Sequence, residues 1–275
     1  MKKIALTSLL AVFAAAGANA ASTMDGNPLY MPKAGHFYSV TDLSSATTGT
    51  NEAALAEEFG YGITDRFAVD VTTSVAEHDW FHGNAWNELG ADITWRAIND
   101  SAWKMDLTAG FEMDPVWGDH RPAFEEDDTM YTWKAGVRGG YVTEDWTLSA
   151  HANFLYHNTE AFNWGDDDAS YVGEDGEEAK FWENHELNLG VAGHWTMSDR
   201  WSAIASADYF KVLDHYNSVE NHGRWELMAG LNMNIDDTKY VGAYVKKYIS
   251  HNEEVAGEWD VADGFGFGAK FGIDF

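Results

Sequence analysis

Alternation of apolar and polar side chains at every second position runs through most of this 275-residue chain and limits what it can fold into. From Trp103 to Met113 the odd positions are Trp103, Met105, Leu107, Ala109, Phe111 and Met113, while the even ones are Lys104, Asp106, Thr108, Gly110 and Glu112. Residues two apart on an extended chain share a face, so this stretch reads as a strand with one apolar and one hydrophilic side. The same pattern recurs in 88–98, 129–141, 146–158 and 223–235. About twelve such strands are expected, the others lying near 35–42, 52–63, 67–77, 183–195, 201–211, 239–250 and 257–275.

The connections differ between the two ends. Thr64-Asp65-Arg66, Asn99-Asp100-Ser101, Thr143-Glu144-Asp145, Ser198-Asp199-Arg200 and Asp236-Asp237-Thr238 are short and rich in residues that hydrogen-bond their own backbone in turns. The intervening connections, near 43–51, 78–87, 114–128, 159–182, 212–222 and 251–256, are long. Tight turns on one side, long loops on the other and an even strand number predict an all-β fold: a transmembrane antiparallel up-and-down β-barrel of about 12 strands, both termini on the short-turn side. Aromatic placement points the same way, since Trp and Tyr favour membrane interfaces. Trp95, Trp103, Tyr141, Trp146, Trp195, Trp201 and Tyr240 flank the short turns and form the expected periplasmic girdle. Tyr38, Phe111, Tyr131, Phe154, Tyr156, Tyr209, Trp225 and Tyr248 would form the outer one. A soluble sandwich also alternates, but it has no need of aromatics at both strand ends.

Composition removes other classes. Acidic residues number 45 against 17 basic ones, for a net charge of −28, which repels nucleic acid. An aromatic share of 15% is unlike a disordered acidic chain, and the lack of cysteine leaves no disulfide scaffold or thiolate chemistry. Residues 1–20 read as a secretory signal peptide: Lys2 and Lys3, an apolar run from Ile4 to Ala16, then Ala18-Asn19-Ala20 at the expected cleavage site. Residues 21–275 then form one barrel domain.

The last strand carries Phe265, Phe267, Ala269, Phe271, Ile273 and Phe275 on one face. It resembles the carboxy-terminal signal of bacterial outer-membrane proteins. The run Glu58-Phe59-Gly60-Tyr61-Gly62-Ile63-Thr64-Asp65-Arg66-Phe67 resembles a hairpin of porin-like barrels. The chain as a whole is thus similar to Gram-negative outer-membrane β-barrel proteins of the porin-like kind. That resemblance implies location in the cell outer membrane and insertion by the barrel assembly machinery, with Phe271, Ile273 and Phe275 as the assembly signal.

On the inward parity fall Glu58, Asp70, Glu88, Asp92, Asp106, Glu112, Glu186, Asp208 and Glu226, facing Arg96, Lys104, Lys134, Arg138, Arg224 and Lys270. Two readings are open: opposed charges lining a narrow watery pore, or a closed ionic network plugging the lumen. The inward row Gly264, Gly266, Gly268 and Gly272 tilts the reading toward open space. Acidic loops 114–128 and 159–182 would repel anions and concentrate cations. They offer oxygen ligands for weak Ca²⁺ or Mg²⁺ binding and for bridging to lipopolysaccharide, although no EF-hand spacing is present. Apart from such ions no cofactor is expected.

The expected function is therefore a passive channel for small hydrophilic, preferentially cationic or neutral solutes, without enzyme activity. The partners expected are outer-membrane lipids and lipopolysaccharide, no nucleic acid, and a monomer in preference to a trimer. A rim hydrolase built on His78, Asp79, His82, His157, His185, His215 or His222 is one alternative, and a purely structural or adhesive closed barrel another. Two places fit poorly: Glu57 falls on the lipid-facing parity, and 239–250 mixes both parities, for which a bulge is the simplest remedy.

Overall fold

The computed structural model describes residues 26–46, 53–78, 83–115, 129–158, 171–172, 178–179, 184–213, 223–251 and 264–275. Its strands are β1 Phe37–Ala46, β2 Ala53–Thr64, β3 Phe67–His78, β4 Gly83–Asn99, β5 Trp103–Pro115, β6 Thr129–Val142, β7 Trp146–Asn158, β8 Tyr171–Val172, β9 Glu178–Ala179, β10 Asn184–Ser198, β11 Trp201–Val212, β12 Gly223–Asp236, β13 Lys239–His251 and β14 Gly264–Asp274. The two-residue strands β8 and β9 pair only with each other. The remaining twelve form a closed antiparallel barrel in which β1 pairs with both β2 and β14, so Val40 faces Glu58 on one side and Gly272 on the other. Closure leaves no strand edge with unpaired backbone groups, the condition for a sheet to sit in hydrocarbon.

Why the ring turns its apolar face outward follows from the alternation. Trp103, Leu148, Phe59, Val245 and Phe267 all expose more than half of their surface. The opposite parity holds Glu58, Glu88, Arg96, Asp106, Glu112, Glu186 and Glu226, each under a tenth exposed. The barrel is thus polar inside and apolar outside, the inverse of a water-soluble core. Four register shifts lie beside short turns, between Gly62 and Thr64, Arg96 and Ile98, Thr196 and Ser198, and Asn234 and Asp236. Each reverses the strand's parity as it enters its turn: Arg96 points inside, whereas Ile98, two residues on, is 45% exposed outside.

Three expectations change. Tyr240 is only 1% exposed and lies inside the barrel, so it leaves the periplasmic girdle; Tyr38 and Tyr248 leave the outer one for the same reason. Strand β13 needs no bulge within 239–250, because Tyr240, Tyr244 and Tyr248 point inward and Val241, Ala243 and Val245 face out. Its mixed parity comes from a lumen wall built of aromatics. Glu57 does face outward at mid-strand, where it accepts hydrogen bonds from the Ser39 and Thr41 hydroxyls of β1. The signal peptide, most of both acidic loops, and His82, His215 and His222 lie outside the described residues.

Residues before β1 make a strap that turns back into the lumen. Gly35, at φ +83°, makes the turn possible, and its N–H donates to the Gly62 carbonyl at 2.7 Å. A side chain at Gly62 would run into the strap's Lys33 carbonyl, so the β2–β3 hairpin needs glycine there for the strap to lie against it. The strap carries Leu29 to 3% exposure inside the ring.

Candidate functional site: a charged, strapped lumen

Toward the short-turn end, Asp106 is 0% exposed and bridges two guanidinium groups. Arg96 Nε and Nη2 donate to its two oxygens at 2.8 and 3.0 Å, and Arg138 Nε donates at 2.9 Å. The same arginines hold the strap: Arg96 Nη2 donates to the Leu29 carbonyl at 2.6 Å and Arg138 Nη2 to the Tyr30 carbonyl at 3.3 Å. Tyr30 then reaches Asp274 Oδ2 at 3.3 Å and packs edge-on against Tyr38. One buried carboxylate, two forked cations and two backbone carbonyls thus close this end of the barrel, with each guanidinium shared between wall and strap.

Toward the long-loop end the described residues fill the lumen with side chains. Lys134 pairs with Glu112 and lies 3.9 Å from Asp92. Arg224 donates to Glu186 at 2.8 Å and stacks over the Phe210 ring at 4.0 Å, while Lys246 stands 3.7 Å from Glu226. The Thr132 hydroxyl is 2.9 Å from His157 Nδ1. Between these layers is an internal cavity of about 50 Å³ reached by Glu58, Asp70, Asp92, Lys134, Arg138, His151 and Asn188, with the strap's Pro28 also in its lining.

A third wall is aromatic. Tyr240 lies across from Gly272 in the ladder, Tyr244 from Gly268, Tyr248 from Gly264, and Tyr38 from Gly60. Tyr244 donates to Asp42 at 3.0 Å, and Lys270 sits 3.3 Å from the same carboxylate. The inward glycines therefore do not mark open space. Rings lie over Gly60, Gly268 and Gly272 so closely that even a Cβ would collide, which is how an aromatic covers a glycine on a neighbouring strand.

All the candidate lumen residues fall on the inward parity, but Lys104 is set apart. Its ammonium donates to Asn99 Oδ1 and the Asp100 carbonyl, both at 2.7 Å, and so secures a turn. Arg96, Asp106 and Arg138 form one cluster; Glu58, Asp70 and Asp92 line the cavity; Glu112 with Lys134, Glu186 with Arg224, and Glu226 close the outer layer; Asp208 meets His151 at 3.0 Å. Sequence reasoning missed Asp42, Lys246, His151, Asn188 and the strap. The first four share inward parity with residues it did single out, whereas the strap has no periodicity to show where it goes. Of the histidines considered for a rim hydrolase, His157 is 3% exposed inside the barrel and His185 stacks outside on Phe154 and Tyr156.

Among the described residues, eleven carboxylates point into the ring (Asp42, Glu58, Asp70, Glu88, Asp92, Asp106, Glu112, Glu186, Asp208, Glu226 and Asp274) against six cations (Arg96, Lys134, Arg138, Arg224, Lys246 and Lys270). The fold is that of outer-membrane β-barrels. Among solved structures, the NanC porin superposes with a TM-score of 0.58 at 7% identity, covering 86% of this chain and 98% of its own. An outer-membrane channel from Pseudomonas putida F1 gives 0.53 at 11%, covering 90% and 97%. No protein-family model and no curated protein matches the chain. At these identities the likeness speaks for the architecture: a single closed, membrane-type ring of about this size.

Proposed function

We propose that this barrel is a passive outer-membrane channel for small hydrophilic solutes, cations preferred, and that the arrangement described above is its shut state. The carrying observation is the lumen's excess of five carboxylates over cations among the described residues. Carboxylates withdrawn from water need protons or counter-ions, so a hydrated passage through this ring favours positive solutes and disfavours anions. The strap is the movable part, because within the lumen it is held by isolated hydrogen bonds, from Arg96, from Arg138 and to Asp274, while the wall is held by continuous ladders. No bond-making chemistry is assigned to the lumen. We infer insertion as a monomer among lipid and lipopolysaccharide, with Phe271, Ile273 and Phe275 read by the assembly machinery.

Planar-bilayer recording under a KCl gradient tests this reading. The wild-type barrel should conduct sparsely and with cation selectivity, and the double variant Arg96→Ala, Arg138→Ala should show more frequent and larger openings. Anion-selective current, or silence in both proteins, overturns it. A closed structural barrel is the second reading, favoured by how dry the lumen charges are, Asp106 and Glu112 at 0% and Glu88 at 1% exposure. It predicts silence in both.

A further inference from the structure

The cavity between the two closed layers has walls of opposite chemistry. From β2, β3 and β4 come Glu58, Asp70 and Asp92. Glu58 accepts from Tyr38 at 2.5 Å and Asp92 has Lys134 at 3.9 Å, but Asp70 has no hydrogen bond or ion pair among the described residues. Asp70 also lies directly across the ladder from Asp92. Like charges facing each other across two strands destabilise the pair, and a cation placed between them removes that cost. From β6, β7 and β10 come Lys134, Arg138, His151 and Asn188.

Asn188 is the independent sign of a ligand. It is 5% exposed, and its Oδ1 accepts from Asn153 Nδ2 at 3.0 Å and lies 2.9 Å from His151 Nε2. Its own Nδ2 is buried and donates to nothing. A donor shut away from water without an acceptor is costly and is rarely left so. We propose that the cavity binds a small zwitterion of about glycine's size, its ammonium between Asp70 and Asp92 and its carboxylate toward Asn188 and the basic wall. A bare cation would leave the Asn188 amide unanswered, and an anion would worsen the crowding of carboxylates; one molecule bearing both charges satisfies both walls.

Size agrees with the charge pattern. The cavity's 50 Å³ admits about three to five water molecules at ~10–15 Å³ each, the room a glycine-sized solute takes. Pro28 in the lining means that the strap limits the site on the short-turn side. Bulkier amino acids are therefore excluded while the strap is seated. The inference deepens the channel reading by naming a solute class, while the binding itself does not depend on conduction.

Equilibrium dialysis of the folded barrel in detergent tests it, with labelled glycine, methylammonium and acetate as probes. Glycine should bind saturably, with each half-molecule at least about tenfold weaker. Asp70→Asn and Asn188→Ala should each weaken glycine binding by about tenfold or more, in barrels that still migrate as folded in unheated gels. Equal binding of methylammonium and glycine would mean a plain cation site and overturns the proposal, as does failure of glycine to saturate. A barrel that conducts without binding glycine sinks this site alone. One that binds glycine but stays silent in bilayers sinks the channel reading and keeps the site.

Discussion

Asp106 shows how much a single buried position can carry. It takes hydrogen bonds from Arg96 and Arg138 while fully shielded, so Asp106→Ala would strand two guanidinium groups in a nearly dry lumen. Removing one partner of a buried ionic group costs about 3–5 kcal/mol, and a loss of that size should appear as an earlier urea unfolding midpoint in detergent. A change below about 1 kcal/mol would mean that water already reaches the site. Tyr240 carries a different lesson. In the sequence it follows a turn, as girdle aromatics do, and nothing local separates a ring lying in lipid from one lying on Gly272; only the cross-strand register decides. The lumen charges were legible because a charge on a two-residue period has one face available to it. Lys104 was misplaced because its long stem lets the ammonium leave the lumen for a turn.

Alternation makes the strands legible in the sequence, since a strand facing hydrocarbon on one side and polar groups on the other leaves the strongest pattern that period two can make. Boundaries drifted where bulges and loops intervene: β4 begins at Gly83, ahead of the expected 88, and the β3 register shifts between Ser74 and Val75. Ile93 lies near the middle of β4 and is 46% exposed on the outer face. Ile93→Arg should therefore cost about 2–4 kcal/mol in folding into lipid vesicles, read from urea titrations, whereas a surface facing water would register almost nothing. The strap is the element that the pattern could not place, because it is held by carbonyls and every residue has one. It should resist protease added from the short-turn side in the wild-type barrel. In the Arg96→Ala, Arg138→Ala protein, cleavage between Gly26 and Gly35 should appear; equal resistance would mean that the arginines do not secure it.

At the scale of the whole molecule, a chain whose average hydropathy is only −0.37 still makes a lipid-exposed object, because alternation hides its apolar residues from any average along the sequence. Phe267, Val245, Leu148 and Trp195 all stand more than half exposed on the outside. Diluting the folded barrel out of detergent into plain buffer should accordingly precipitate it, and a monodisperse soluble particle by light scattering would contradict the lipid-facing exterior. The ring closes where β1 meets β14, with Phe37 and Phe275 exchanging backbone hydrogen bonds at the seam. Joining the two ends of the chain brings together residues at the greatest separation along it, so this ladder is slow to form. The strap directly precedes β1 and lies within the finished ring, so its path is tied to the order of events at that seam. Either it is tucked in while the barrel is still an open sheet, or it must thread upward through the short-turn mouth afterward. The first route makes biogenesis itself the moment at which the closed state is set.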